Sequence, residues 1–286
     1  MPAYNAAAHI ELALGSLMDQ TFRDIEIIVS DNASTDATPE IVRTVAAGDS
    51  RVRYIRQPNN IGANKNYTFV ARAARGSYFK WASSNDWCAP TFLERCLERL
   101  ESNPDAVVAT PRTRLFENDL STARDYGCDI AVLEDTPLER VISLASGLRL
   151  NNMMNGLIRT SALQNTGLIE QYYGADIVLM GHLALLGKIL LHDDRLFYRR
   201  LEVGSSTALQ DAESIRKHHY PTPGLRMLFQ NTKHHIGWLR AAMSAPMTLN
   251  ERTKVIAFIV RRAYWHRGSM LDDLDDAATF LRNLGA

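Results

Sequence analysis

Residues 81–90, WASSNDWCAP, set one carboxylate, Asp86, among small polar side chains between Trp81 and Trp87, directly after the apolar run SYFKW. Hard divalent cations take oxygen ligands, and a magnesium-type site needs only one or two protein carboxylates. A carboxylate at the end of a buried strand could therefore hold a cation against a diphosphate. The competing reading makes Asp86 the cap of a helix starting near Pro90. Asp176 poses a similar choice. It follows Tyr172, Tyr173 and Gly174 at the head of an apolar helical stretch, where a carboxylate gains from the helix dipole but can also accept a proton from a substrate hydroxyl.

Two further clusters bear on binding. In SDNASTDAT, Asp31 can accept from an N–H of a base or a ribose hydroxyl, while Ser34, Thr35 and Asp36 read as turn and capping residues. In NNIGANKN, residues 59–66, a glycine-bearing turn opens a helix whose backbone N–H groups and Lys65 could face phosphate, a weak signal beside that of a plain loop.

These clusters fall where elements change. From Asn5 to about residue 110 helical and strand patterns alternate: AAAHIELALGSLMDQ, IEIIVS (25–30), STDATPEIVRTVAA, VRYIR (52–56), NKNYTFVARAA, SYFKW, APTFLERCLERL and AVVAT. Such alternation predicts an α/β fold with a mostly parallel, doubly wound sheet, and ligands bind outside the carboxyl ends of strands in open sheets of this kind. Periodicity fades over 111–150, which reads as irregular loop followed by a short helix. A helix over 173–187 and short strands KILLH and RLFYRR follow. Beyond Pro221 and Pro223 the pattern is wholly helical. The first strand is expected to be missing, because MPAYN opens as if a strand had just ended. A start upstream of Met1 is the favoured explanation.

Composition bounds the rest. The 286 residues are 46% hydrophobic, enough for a large core, and 32 basic residues balance 32 acidic ones, which argues against nucleic acid as a partner. Three cysteines, Cys88, Cys96 and Cys128, lack zinc spacing and suit a reduced, cytoplasmic compartment. His182, His192, His218, His219, His234 and His235 lack acidic partners at ligand spacing. No run of about 18 apolar residues is present. The stripe Val255, Ile256, Ile259 and Val260 with Arg261, Arg262, Trp265 and Arg267 is read first as packing, with peripheral contact at the inner membrane face left open.

The succession MPAYN, IEIIVSDNASTDAT, NNIGANKNYTFVARAARGSYFKW, the acidic knot, GLIRTSAL and GADIVLMGHLALLGKILLHDDRLFYRR resembles glycosyltransferase family 2, over about residues 1–207. The resemblance implies a GT-A fold (Rossmann-like, mostly parallel) in a domain 1–207, with 208–286 as a helical extension. It implies inverting transfer of a sugar from a nucleotide diphosphate-sugar, expected to be a UDP-sugar, to a saccharide or glycolipid acceptor, in cell-surface polysaccharide or glycolipid synthesis. On this pattern Pro2, Ala3 and Tyr4 line the nucleoside and Asp31 meets the base. Asn60, Gly62 and Asn64 close over nucleoside and phosphate. Ser84, Asn85 and Asp86 stand at the DxD segment, with Asp86 the ligand of Mn²⁺ or Mg²⁺. Asn155 and Gly156 lie under the donor sugar and acceptor, Arg199 or Arg200 near the diphosphate, and Asp176 is the catalytic base. Ser84 and Asn85 replace acids, and Ala175 stands where the base is usually preceded by Glu. A degenerate nucleotide-sugar-binding module is therefore the alternative. A nucleotidyltransferase is less favoured, since PAYNAAAH has no Gly, Lys or Arg.

Overall fold

A computed structural model describes residues 1–201 and 224–284. The 207/208 domain boundary, His218 and His219 lie outside the described residues. The strands are β1 Pro2–Ala3, β2 Ile27–Asp31, β3 Val52–Arg56, β4 Tyr78–Phe79, β5 Trp87–Cys88, β6 Ala106–Phe116, β7 Arg124–Asp125, β8 Leu157–Arg159 and β9 Lys188–Arg200. The helices are α1 Ile10–Met18, α2 Thr38–Gly48, α3 Ala63–Ala73, α4 Phe92–Glu101, α5 Pro137–Gly147, α6 Thr160–Gln164, α7 Ala175–Leu186, α8 Gln230–Ser244, α9 Leu249–Trp265 and α10 Arg267–Leu284.

The early alternation builds a parallel sheet, β1-β2-β3, in which every residue of β2 is buried, as a β-branched run between two helical layers should be. Where the first strand is expected to be missing, Pro2 and Ala3 form a two-residue strand that pairs with Ser30 and Asp31, and Ser30 N donates to Met1 O at 2.9 Å.

The second sheet runs β4-β8-β6-β9-β5, with β7 on β6. Parallel pairing, expected to prevail, is found here only between β6 and β9; β8 and β5 enter antiparallel. Three sequence readings are corrected in this sheet. The SYFKW strand shrinks to Tyr78–Phe79, and Trp87–Cys88 forms a strand beyond the acidic knot. The stretch read as irregular from 111 instead continues β6 to Phe116. Pro111, lacking an N–H, sits at a register irregularity that the strand passes through. KILLH and RLFYRR are one 13-residue strand, with Asp193 and Asp194 at the same irregularity, exposed to water.

The C-terminal helices share the core of the sheet domain rather than standing apart. Trp238, Ala241 and Ala242 of α8 and Val255 and Ile259 of α9 belong to one cluster with Val108, Leu144, Ile158 and the buried face of α7. The contact is interlocked. A methyl added at Gly181 of α7 would overlap the Trp238 ring, and one added at Gly237 of α8 would overlap the Tyr172 hydroxyl. Only hydrogen at those positions lets the two helices approach so closely.

Candidate active site

The loops leaving β1 and β2 are knitted together by the residues read as caps. Asn5 N donates to Ser34 Oγ at 2.9 Å, Ala6 N to Thr38 Oγ1 at 2.8 Å and Ala7 N to Asp36 Oδ2 at 3.0 Å. Tyr4 projects from this junction, half exposed, while Pro2 and Ala3 are buried in β1. Asp31 is fully buried. Its Oδ1 accepts from Ser34 N at 2.8 Å, and its Oδ2 accepts from Tyr54 Oη at 2.7 Å and Arg56 Nη1 at 2.9 Å. Both carboxylate oxygens thus have internal partners, with the Arg56 guanidinium closing the pocket. Asn60 Oδ1 accepts from Asn32 Nδ2 and Gly62 N, which fixes the turn at the head of α3. Asn64 reaches the other way: its Nδ2 donates to Glu170 O at 2.8 Å and Tyr172 O at 3.0 Å, tying α3 to the segment that leads into α7.

The acidic knot spans the turn between β4 and β5. Asp86 does not cap α4, whose preceding residue is Thr91. Its Oδ1 instead accepts from Arg200 N at 2.9 Å, joining the knot to the end of β9. Burial pushes the Asp86 carboxyl up, against the pull of the Arg200 N–H, Arg199, Ser83 and Lys80. The two arginines part company here. Arg200 is buried, its guanidinium donating to the carbonyls of Asn85, Glu117 and Asn118 and lying 4.5 Å from the Phe116 ring centroid, so it clamps the knot onto β6. Arg200, one of the two arginines read as lying near the diphosphate, is thus engaged with backbone carbonyls. Adjacent strand residues point to opposite faces, and Arg199 points the other way, donating to Asn152 Oδ1 at 2.8 Å. Asn152 in turn donates to Asp129, which is anchored by the backbone and hydroxyl of Thr113 on β6.

Asp176 occupies the first turn of α7, two residues after Gly174, which supplies the left-handed backbone (φ 75°) that heads the helix. Asp176 is thus not the cap, and its Oδ2 accepts from Asn151 Nδ2 at 2.9 Å. Gly174 is backed by His234 of α8. That imidazole accepts from Trp238 Nε1 at 3.1 Å, and burial lowers its pKa to about 4. Asn155 offers its carbonyl to Lys80 Nζ at 2.5 Å, and Gly156 lies against Ala109 O of β6, where a side chain has no room.

The Tyr67 hydroxyl is hydrogen-bonded to Ser83, and burial raises its pKa. Asp86 and Asp176 add to that rise and Arg199 opposes it, so all three charges act on the same phenol. Ser84 and Asn85 are partly exposed, and Asp31 closes β2 of the first sheet. Tyr67, Lys80, Asn151 and Asn152 were not singled out from sequence. Only Lys80 left a trace, as a lone cation inside an apolar run: its Nζ lies 4.3 Å from the Phe92 ring centroid and 5.5 Å from that of Phe197. A cavity of about 560 Å³ lies elsewhere, between α6, α7 and α8, lined by Tyr172, His182 and Arg240 among others.

A divalent cation at the knot has one carboxylate to hold it. Among the described residues no three His, Cys, Asp or Glu side chains are gathered at ligand distance. One carboxylate oxygen suits a magnesium-type ion that takes its remaining ligands from diphosphate and water, so the residues present fit such a site at its minimum.

The family model described as glycosyl transferase family 2 matches residues 1–164. The chain belongs to this family. Over 164 residues it is 33% identical to EpsH of Bacillus subtilis, covering 56% of this chain and 46% of that protein. It is 26% identical to the chondroitin synthase of Pasteurella multocida, covering 77% of this chain but 22% of the synthase. The chain therefore spans less than half the length of these relatives. Among solved structures, S. aureus TarS 1-349 in complex with UDP-GlcNAc superposes with a TM-score of 0.65 over 92% of this chain and 71% of that one, at 17% identity. The mannosyltransferase PcManGT of Pyrobaculum calidifontis, in complex with GDP-Man and Mn²⁺, reaches a TM-score of 0.53 over 97% of this chain and 73% of that one, at 16% identity. The family's GT-A fold, with a helical C-terminal extension, is the fold described above.

Proposed function

We propose that this chain transfers a sugar from a nucleotide diphosphate-sugar to an acceptor hydroxyl, with inversion, by direct displacement. The observation that carries the reading is a pair of carboxylates at element ends: Asp176 in the first turn of α7, held by Asn151, and Asp86 in a buried strand turn, joined to the end of β9 where Arg199 stands. Family membership supports it. So do structural neighbours solved in complex with UDP-GlcNAc and with GDP-Man. A UDP-sugar is the favoured donor, and the names of the relatives point to polysaccharide synthesis as the setting.

In this reaction the acceptor oxygen bonds to the anomeric carbon as the bond from that carbon to the diphosphate oxygen breaks. The departing nucleotide diphosphate keeps the electron pair. Asp176, oriented by Asn151, takes the acceptor proton. Arg199, held by Asn152, presents positive charge toward the leaving group. A Mn²⁺ or Mg²⁺ ion held by Asp86 would supply Lewis-acid neutralisation of the diphosphate. The Asp31 pocket meets the base, once Tyr54 or Arg56 yields one of its hydrogen bonds.

One second reading is a nucleotide-sugar-binding module without turnover, favoured by the single carboxylate of the knot, where Ser84 and Asn85 replace acids, and by Ala175 before Asp176. Binding and turnover assays with UDP-, GDP- and dTDP-sugars, read as nucleotide release in the presence of saccharide acceptors, separate the two. Asp176→Asn is expected to keep donor affinity and lower kcat by about 10² to 10⁴-fold. Wild-type donor binding without any nucleotide release would favour the module. A variant that turns over normally would place the base elsewhere.

A further inference from the structure

We propose that the outward face of α9, continued into the start of α10, docks on an anionic lipid bilayer. Helix α9 turns Val255 and Ile259 into the core, which accounts for the apolar half of its stripe. The other half is left in water: Val260 is 54%, Tyr264 62% and Trp265 63% exposed. The Arg261 guanidinium lies 5.1 Å from the Trp265 ring centroid, and that of Arg267 lies 4.5 Å from the Tyr264 ring centroid. Amphipathic rings carrying cations on their faces suit the headgroup layer, where the ring enters the acyl boundary and the guanidinium meets phosphate.

Charge complementarity selects the occupant. From Arg252 to Leu271 the chain has no Asp or Glu, and Lys254, Arg261 and Arg267 are exposed there in a molecule whose formal net charge is zero, while Arg252 turns inward to Ala245 O and Arg262 is half-buried. The exposed acids Asp272, Asp275 and Asp276 begin about one and a half turns beyond Arg267, on α10. A second copy packed through the same patch about a two-fold axis would set these arginines against themselves, which disfavours self-association there. No helix among the described residues is long and apolar enough to cross a membrane, so the contact is with the bilayer surface. The surface lies outside the carboxylate cluster and would hold the enzyme at an interface without entering its chemistry.

The full chain is sedimented with vesicles of phosphatidylcholine alone or of phosphatidylcholine and phosphatidylglycerol at roughly 2:1. Binding is expected to the anionic vesicles only, and to weaken with salt. Each arginine near the surface contributes about fivefold, so Arg261→Gln/Arg267→Gln lowers the partition coefficient about 25-fold. Tyr264→Ala/Trp265→Ala abolishes the blue shift of tryptophan emission on vesicle addition while Tm is unchanged. The proposal is overturned if the wild type ignores anionic vesicles at low salt, or if both double variants bind as the wild type does. It is also overturned if the chain is a dimer that Tyr264→Ala/Trp265→Ala converts to a monomer.

Discussion

Asp86 is 8% exposed in a strand turn, with one oxygen fixed by a backbone N–H and its carboxyl pushed up by burial, whereas Asp176 is half buried at a helix head and held by a single side-chain amide. The same functional group is thus set up for two kinds of work. A buried carboxylate short of solvation gains most from an arriving cation. One near solvent at the head of a helix is placed to take a proton from an incoming hydroxyl. The supports differ as well. Asp86 is locked by β9 and the Arg200 clamp, while Asp176 depends on α7, whose own position depends on α8.

That dependence gives the largest expected effect on stability. Trp238→Ala removes the ring seated against Gly181 and should cost about 3 to 5 kcal/mol, read as a fall in Tm; a neutral outcome would show that α8 merely covers the domain. Next, Arg200→Ala frees three carbonyls around the knot. It should destabilise the fold by about 2 to 3 kcal/mol. If Arg200 touched the diphosphate instead, UDP affinity would collapse with Tm intact. Smallest is Asn151→Ala, which loosens Asp176 without removing it. A drop in kcat of about tenfold, with KM for the donor unchanged, is expected. No change in kcat would mean that Asp176 orients itself.

The alternation of apolar runs up to residue 110 was enough to place the helices and β2, β3 and the start of β6, because β2 and the start of β6 are buried on both faces, β3 is a short β-branched and aromatic run, and their helices carry clear stripes. Pairing direction was not legible. β8 and β5 enter the second sheet antiparallel through contacts between residues far apart in sequence. Asp193–Asp194 and Pro111 read as breaks, yet a register irregularity carries β9 and β6 straight past them. At the site, Asp86 and Asp176 stood out as carboxylates at element ends. The choice between Arg199 and Arg200 rested on which face of β9 each takes, which alternation alone leaves open. Tyr67 and Asn151 belong to no motif and become visible only when α3, α7 and the 149–152 turn are brought together. The aromatic end of α9 was read first as packing, and exposure of Trp265 removes that reading for half of the stripe.

The division of labour between the two carboxylates is tested most directly by titrating UDP, with and without Mn²⁺, into the wild type, Asp86→Asn and Asp176→Asn. The amide at position 86 can still accept from Arg200 N, so the knot stays folded while its charge is lost. Mn²⁺ should strengthen UDP binding to the wild type and to Asp176→Asn, and make no difference to Asp86→Asn. The account is contradicted if Mn²⁺ enhancement survives in Asp86→Asn, or if it disappears in Asp176→Asn.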